Sequence, residues 1–382
     1  MYSEIECIDV YLLNCKMKDK IGNASRFFDK REALVIKITT KGGEIGWGET
    51  WAMPGPAAAL IQNVLAPELI GEDAAFPQKL WRKLSNFIIN DRRGLTHMAI
   101  SALDIATWDV SSRMADKSLS QHLGGALRNN LTTYISGPFL KPGPNPYEHY
   151  PEEIINYKEN GYNNIKIRAG RDAIMDSNLI GNIRKIIGPN IGLMVDFNES
   201  SNLNQTLEFE KRISDYNLIW LEEPIVHDDL PNWKKLSNLT SLSLAGGESL
   251  YGLSGFRDYF TAGIFSIAQP DLALCGGISE AIRIAAMAEA FNVPIAPHVW
   301  GTAINFNASL HFASVLPDRT NSNLRIPFFE IDASYNPLRS EFVELILEKD
   351  GSIKVPTGKG LGLIINEKDL KPFLVNHTQI RA

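Results

Sequence analysis

Between residues 130 and 332 the chain repeats one pattern eight times: a short apolar run, then a longer amphipathic stretch. The runs are LTTYISG, NNIKIRA, IGLMVDFN, NLIWLEEP, SLAGGES, IFSIAQPD, VPIAPHV and IPFFEID. Near-continuous apolar character is what strands buried on both faces of a parallel sheet require. Eight of them, alternating with helical stretches such as ISEAIRIAAMAEAF, favour a closed barrel over an open doubly wound sheet. The expected fold class is α/β, a (β/α)7–8 TIM-like barrel.

From the second run onward, each carries an ionisable residue near its carboxyl end: Lys166, Asp196, Glu222, Glu248, Asp271, His298 and Glu330. Neighbours lie 23 to 32 residues apart, close to the roughly 25–30 that one strand, one helix and two loops occupy in a barrel of about 250. That end of the strands is where barrel active sites are built. Asp196, Glu222 and Glu248 end consecutive strands, and adjacent strands stand about 4.8 Å apart, so the three carboxylates can converge on one cation. An all-oxygen set without Cys or His suits Mg²⁺ better than Zn²⁺. Without a cation, three such charges repel and their pKa values rise. Glu223 points to the opposite face from Glu222 and is expected behind the ligands.

Asp271 and His298 end the sixth and seventh strands. A carboxylate bonded to one imidazole nitrogen fixes the tautomer and raises the basicity of the other, which makes His298 a candidate proton acceptor. Lys166 and Arg168, two apart on the second strand, share a face. A lysine beside a dication can become a base, whereas arginine stays protonated and its fork binds carboxylates. Glu330 completes the ring as a hydrogen-bond donor to an oxyanion, if protonated. These parts fit removal of a proton α to a carboxylate, with Mg²⁺ stabilising the enediolate.

The rest of the chain provides the setting. Residues 1–12, 32–40 and 43–50 alternate apolar and polar, which predicts an antiparallel meander. A helical stretch over about 56–125 follows. Within it, Met98, Ala102, Ile105 and Trp108 are spaced for one buried face, and the small residues Ala99, Ser101, Ala102 and Ala106 permit close approach of another element. The run FVELILEKDGSIKVP predicts a hairpin returning to this first domain. The expected division is an α+β cap over 1–128, the barrel over 129–338, and a returning segment over 339–382. GKGLG (358–362) follows no buried strand and reads as a turn, not a phosphate loop. With 44% hydrophobic residues, 21% charged and a net charge of -6, the chain has globular composition and no basic patch for nucleic acid. No apolar run is of membrane-spanning length. Three scattered cysteines fit no disulfide framework, and the acidic start MYSEIECIDV is unlike a signal peptide, so the expected address is cytoplasmic.

Taken in order, ALDIATWD, Lys166-Ile-Arg168, VDFN, WLEEP, GGES, QPD, APHVWG and FFEID resemble the enolase superfamily, specifically its mandelate racemase branch. The resemblance covers nearly the whole chain. It implies that Asp196, Glu222 and Glu248 ligate magnesium, that Asp271 and His298 form a general base/acid pair, and that Glu330 contacts the substrate carboxylate. It also implies a cap whose loops around 16–30 and 51–56, with Phe27, Phe28 and Trp51, close over the barrel and select a small carboxylate substrate. Asn198, Trp300 and Trp51 are the candidate substrate contacts. Relatives of this kind are usually oligomeric, so a homo-oligomer is expected.

One position departs from the branch, which usually carries Lys-x-Lys on the second strand. Here the second place holds Arg168. Racemisation by two bases needs a base on each face of the substrate, whereas β-elimination needs one base and an acid. The expected reaction is therefore elimination from an acid sugar or its lactone. PHVWGTAI, FFEID and NPLR are similar to galactarolactone cycloisomerases and acid-sugar dehydratases, although those relatives are expected to keep the second lysine. The alternatives are a racemase or epimerase using Lys166, and a barrel that binds metal and sugar acid without catalysis.

Overall fold

The computed structural model describes residues 2–87, 93–317 and 327–381. Residues 88–92 of the expected helical stretch and Ile326 of the eighth run lie outside them. Two sheets organise the chain. The first contains β1 (Ile5–Gly22), β2 (Phe27–Thr40), β3 (Ile45–Thr50) and, far along the chain, β12 (Leu374–Arg381). Its antiparallel order is β12-β1-β2-β3. Alternate side chains point to opposite faces. Ile8, Val10, Leu34 and Ile36 pack with the cap helices, while Tyr11, Leu13, Ala33, Val35 and Trp47 join the barrel's core. The segment 16–30 is therefore not a loop, as the sequence suggested, but the end of the β1–β2 hairpin. Only residues 23–26 lie between the strands.

The second sheet is the barrel: β4 (Asn130–Ser136), β5 (Asn164–Arg168), β6 (Gly192–Asp196), β7 (Leu221–Glu222), β8 (Leu244–Gly246), β9 (Ile267–Ala268) and β10 (Phe328–Asp332). From β4 to β9 they pair in parallel in that order, and β10 pairs in parallel with β4. Seven of the eight apolar runs form strands. The seventh, VPIAPHV, makes one parallel bridge, Ile295 to Ala268, and reaches β10 through the Val299 amide, which donates to Glu330. Pro294 and Pro297 flank that bridge, and proline cannot donate to a ladder. The architecture is an α/β barrel with a capping domain.

The helix Leu95–Met114 joins cap to barrel. The sequence predicted one buried face, but residues 98–112 are all buried. One side packs on β3, and the other meets the helix Gly277–Ala290, where Asp104 accepts hydrogen bonds from the Ser279 amide (2.8 Å) and hydroxyl (2.6 Å). The small residues serve the β3 side, where Gly46 and Gly48 press against Ala102, Ala106 and Val110. The tail differs from expectation. β11 (Ser352–Lys354) pairs with β4 of the barrel, so the run from Phe342 to Pro356 does not join the first sheet. Only β12 does, along β1.

A methyl group added at Gly48 would lie 2.0 Å from the Ala102 carbonyl oxygen, a rigid backbone atom. Gly48→Ala should therefore lower stability by about 1–3 kcal/mol, read as a fall in Tm. An unchanged Tm would show that the helix can shift away at no cost.

Candidate active site

The site is built by a two-residue step along six of the eight apolar runs. Tyr134, Met194, Trp220, Ile267, Ala296 and Phe328 form a closed apolar cluster inside the barrel. Two residues onward on the same strands come Ser136, Asp196, Glu222, Gln269, His298 and Glu330, all buried. Since residues i and i+2 share a face, the polar ring stands directly on the apolar floor. Strand register sets its height: Arg168 pairs with Asp196, and Asp196 with Glu222. Glu248 and Asp271 follow just beyond β8 and β9.

One oxygen from each of Asp196, Glu222 and Glu248 lies within 4.8 Å of the other two. Asp196 Oδ1 accepts from the Asn198 amide at 2.7 Å, and Glu222 Oε2 accepts from Trp220 Nε1 and Gln269 Nε2, both at 2.8 Å. Glu248 Oε2 is buried with no hydrogen-bond partner among the described residues, although His298 Nε2 is only 3.1 Å away. A buried carboxylate oxygen without a donor, facing two other carboxylates, fits a hard cation. Glu223 points away, accepting from the Gly247 amide, and burial pushes its carboxyl well up.

Lys166 is fully buried. Its Nζ contacts Glu222, lies 2.8 Å from Glu330 Oε1 and 3.7 Å from Asp196 Oδ2, and sits 5.2 Å from the Tyr134 ring centre. Arg168 donates to Asp196 and to Asn198 Oδ1 (3.3 Å) through Nη1, and to Ser136 Oγ (3.1 Å) through Nη2. Burial raises the Glu330 carboxyl, but Lys166, His298 and Arg168 outweigh it and hold the group below the usual carboxylate range. Glu330 Oε2 accepts from the Val299 amide at 3.0 Å.

His298 Nδ1 and Asp271 Oδ2 are 2.7 Å apart. Asp271 is held by four donors in all, since Oδ2 also accepts from Trp51 Nε1 (2.9 Å) while Oδ1 accepts from the Ala273 amide (2.7 Å) and Asn305 Nδ2 (3.1 Å). Burial pulls the imidazole down, but Glu248, Glu330 and Asp271 push it up to about 10. A cation engaging Glu248 removes the largest of those upward pulls and frees Nε2 to accept a proton.

A cavity of about 480 Å³ opens over the site, and Arg168, Asn198, Glu248, His298, Trp51 and Trp300 line it. The cap's hairpin end adds Phe27 and Phe28. Lys166 does not line the cavity; it lies beneath the carboxylates it pairs with. Sequence reasoning missed Ser136, Gln269 and Asn305. The first two were findable by stepping two residues from Tyr134 and Ile267, whereas Asn305 lies on the helix Ala303–Val315 and left no strand signal.

The comparisons agree with this geometry. The enolase C-terminal domain-like family matches residues 150–369, and the mandelate racemase/muconate lactonizing enzyme N-terminal domain matches residues 9–124. The chain belongs to the enolase superfamily. Within it, the chain is 32% identical to D-galactarolactone cycloisomerase of Agrobacterium fabrum, over 97% of this chain and 98% of that protein. It is 29% identical to arabinonate dehydratase of Saccharolobus solfataricus, over 89% and 93% respectively. Among solved structures, 3,6-anhydro-D-galactonate cycloisomerase from Zobellia galactanivorans superposes with a TM-score of 0.87 at 30% identity, covering 98% of this chain and 100% of that one. Among the described residues, no helix is long and apolar enough to cross a membrane.

Where cap meets active-site rim, Glu49 accepts from the Thr302 amide (2.9 and 3.1 Å) and hydroxyl. Burial pushes its carboxyl up to about 7 despite those donors. A carboxyl raised on folding holds a proton in the folded state that the unfolded chain has released, so stability falls as pH rises from about 4.5 to 7. Glu49→Gln should flatten that fall by about 2 kcal/mol in denaturant titrations across the window. An unchanged slope would show that Glu49 does not titrate there.

Proposed function

We propose that this protein is a Mg²⁺-dependent lyase or cycloisomerase that eliminates the β-oxygen from an acid sugar or its lactone. The observation carrying this reading is the single base facing the cavity. His298 is braced by Asp271 and lines the cavity, whereas Lys166 lies below it and Arg168 cannot accept a proton. Lys30 and Glu32 also line the cavity but pair with each other at 3.0 Å on the cap strand, so neither is offered as the second base a racemase needs.

Asp196, Glu222 and Glu248 would hold Mg²⁺, which when bound supplies positive charge against the substrate carboxylate. His298 Nε2 then takes the α-proton, and the C–H electron pair moves toward the carboxylate. Arg168, with its fork fixed by Asp196 and Ser136, and Glu330, in contact with Lys166, set the polarity around that carboxylate. Collapse of the electron pair expels the β-oxygen, which receives a proton as it leaves, and the resulting enol becomes a 3-deoxy-2-keto acid. In a lactone or anhydro ring the departing oxygen stays tethered, so the same step isomerises the substrate instead of dehydrating it. The relatives' names, cycloisomerase and dehydratase, cover these two outcomes of one elimination.

His298→Asn should abolish turnover, by at least about 10³-fold, while leaving Mg²⁺ affinity by calorimetry unchanged; retained turnover would remove His298 as the base. Glu222→Gln should weaken Mg²⁺ binding by at least about tenfold, and an unaltered Kd would take Glu222 out of the ligand set.

A further inference from the structure

Arg31, on β2, is only 4% exposed and lines the same cavity as His298. One edge of its guanidinium is fixed: Nη2 donates to Asp332 and Ser334, and Nε to the Tyr335 carbonyl at 3.1 Å. Its plane lies over Trp300, 3.9 Å from the ring centre. The remaining nitrogen, Nη1, is buried and has no hydrogen-bond partner among the described residues. A buried charged donor without an acceptor is costly, and the cavity is where an acceptor can arrive.

Arg31 stands well away from the base. Trp51 lies 6.0 Å from the His298 ring, Trp300 lies 6.4 Å from Trp51, and Arg31 sits on Trp300. Arg31 thus meets the cavity beside Trp300, while His298 meets it beside Trp51. Arg26, Lys30, Arg31 and Arg168 reach the cavity wall, Lys30 paired with Glu32 at 3.0 Å and Arg168 with Asp196. Because Asp332 already neutralises Arg31, what Nη1 selects is a directed acceptor. A carboxylate oxygen meets that need with roughly twice the strength of a neutral hydroxyl.

We propose that Arg31 determines specificity by binding, through Nη1, a second carboxyl group at the far end of the substrate. The substrate class is then a sugar diacid or its monolactone, not a monoacid. This rests on the acid-sugar reading above and deepens it.

The test is calorimetric binding of galactarate and galactonate, which differ only at that end, to Mg²⁺-loaded His298→Asn protein, where no turnover intervenes. Galactarate should bind at least about tenfold more tightly. Arg31→Lys keeps a cation beside Asp332 but loses the fork; it should reduce the preference to within about twofold by weakening galactarate alone. The kcat/KM ratio of the two acids in the unaltered protein reads the same preference, should the variant fail to fold. Equal affinities for the two acids, or an equal loss of both in Arg31→Lys, overturns the role of Arg31 and leaves the acid-sugar reading standing. Binding of neither acid overturns both.

Discussion

Five carboxylates and two buried fixed cations share the mouth of this barrel, and the balance between them governs the site. Asp196, Glu222, Asp271, Glu330, Lys166 and Arg168 are nearly or wholly out of water, and Glu248 is partly buried. Removing one partner of such a buried set leaves an uncompensated charge at a cost of about 3–5 kcal/mol. Lys166 is placed to prevent that: it contacts Glu222, Glu330 and Asp196 at once. The cluster still carries an excess of two or three negative charges, depending on whether His298 holds a proton. That excess suits one divalent cation, and the unpaired oxygen of Glu248 lies where such a cation would bind.

The cap is tied into this electrostatic arrangement at several points. Trp51 donates to the carboxylate that braces His298, Glu49 clamps the loop between His298 and the helix Ala303–Val315, and Asp104 fixes the long cap helix to the barrel through Ser279. Trp51, expected from the sequence as a substrate contact, lines the cavity and also supports Asp271, the partner of His298. The position of His298 is therefore partly a property of the cap. The long cap helix is buried on all sides because it fills the space between two bodies, and its small residues admit the β3 glycines on one of them.

Most of this was legible because barrel strands impose a two-residue period on whatever they carry. An apolar residue on the floor and an ionisable one above it recur from strand to strand, so fold and charged ring appear in the sequence together. What escaped had other causes. Gln269 and Ser136 belong to the ring but are uncharged, so they did not stand out. Asn305 and the Trp51–Asp271 bond depend on how cap and helix dock, which no local pattern encodes. The alternation around β11 correctly indicated a strand, but alternation does not name the partner sheet, and β4 took it. The downward pull on the Glu330 carboxyl could not be read from its residue type; it comes from Lys166, His298 and Arg168 around it.

The central claim is that one base, His298, drives an elimination. Proton NMR of the Mg²⁺-loaded protein in heavy water tests it most directly, using a panel of aldaric, aldonic and uronic acids and their lactones. The account predicts loss of an α-proton signal together with appearance of a 3-deoxy-2-keto product. Exchange of the α-proton or epimerisation, with no deoxy-keto product, would contradict it and point to a second base.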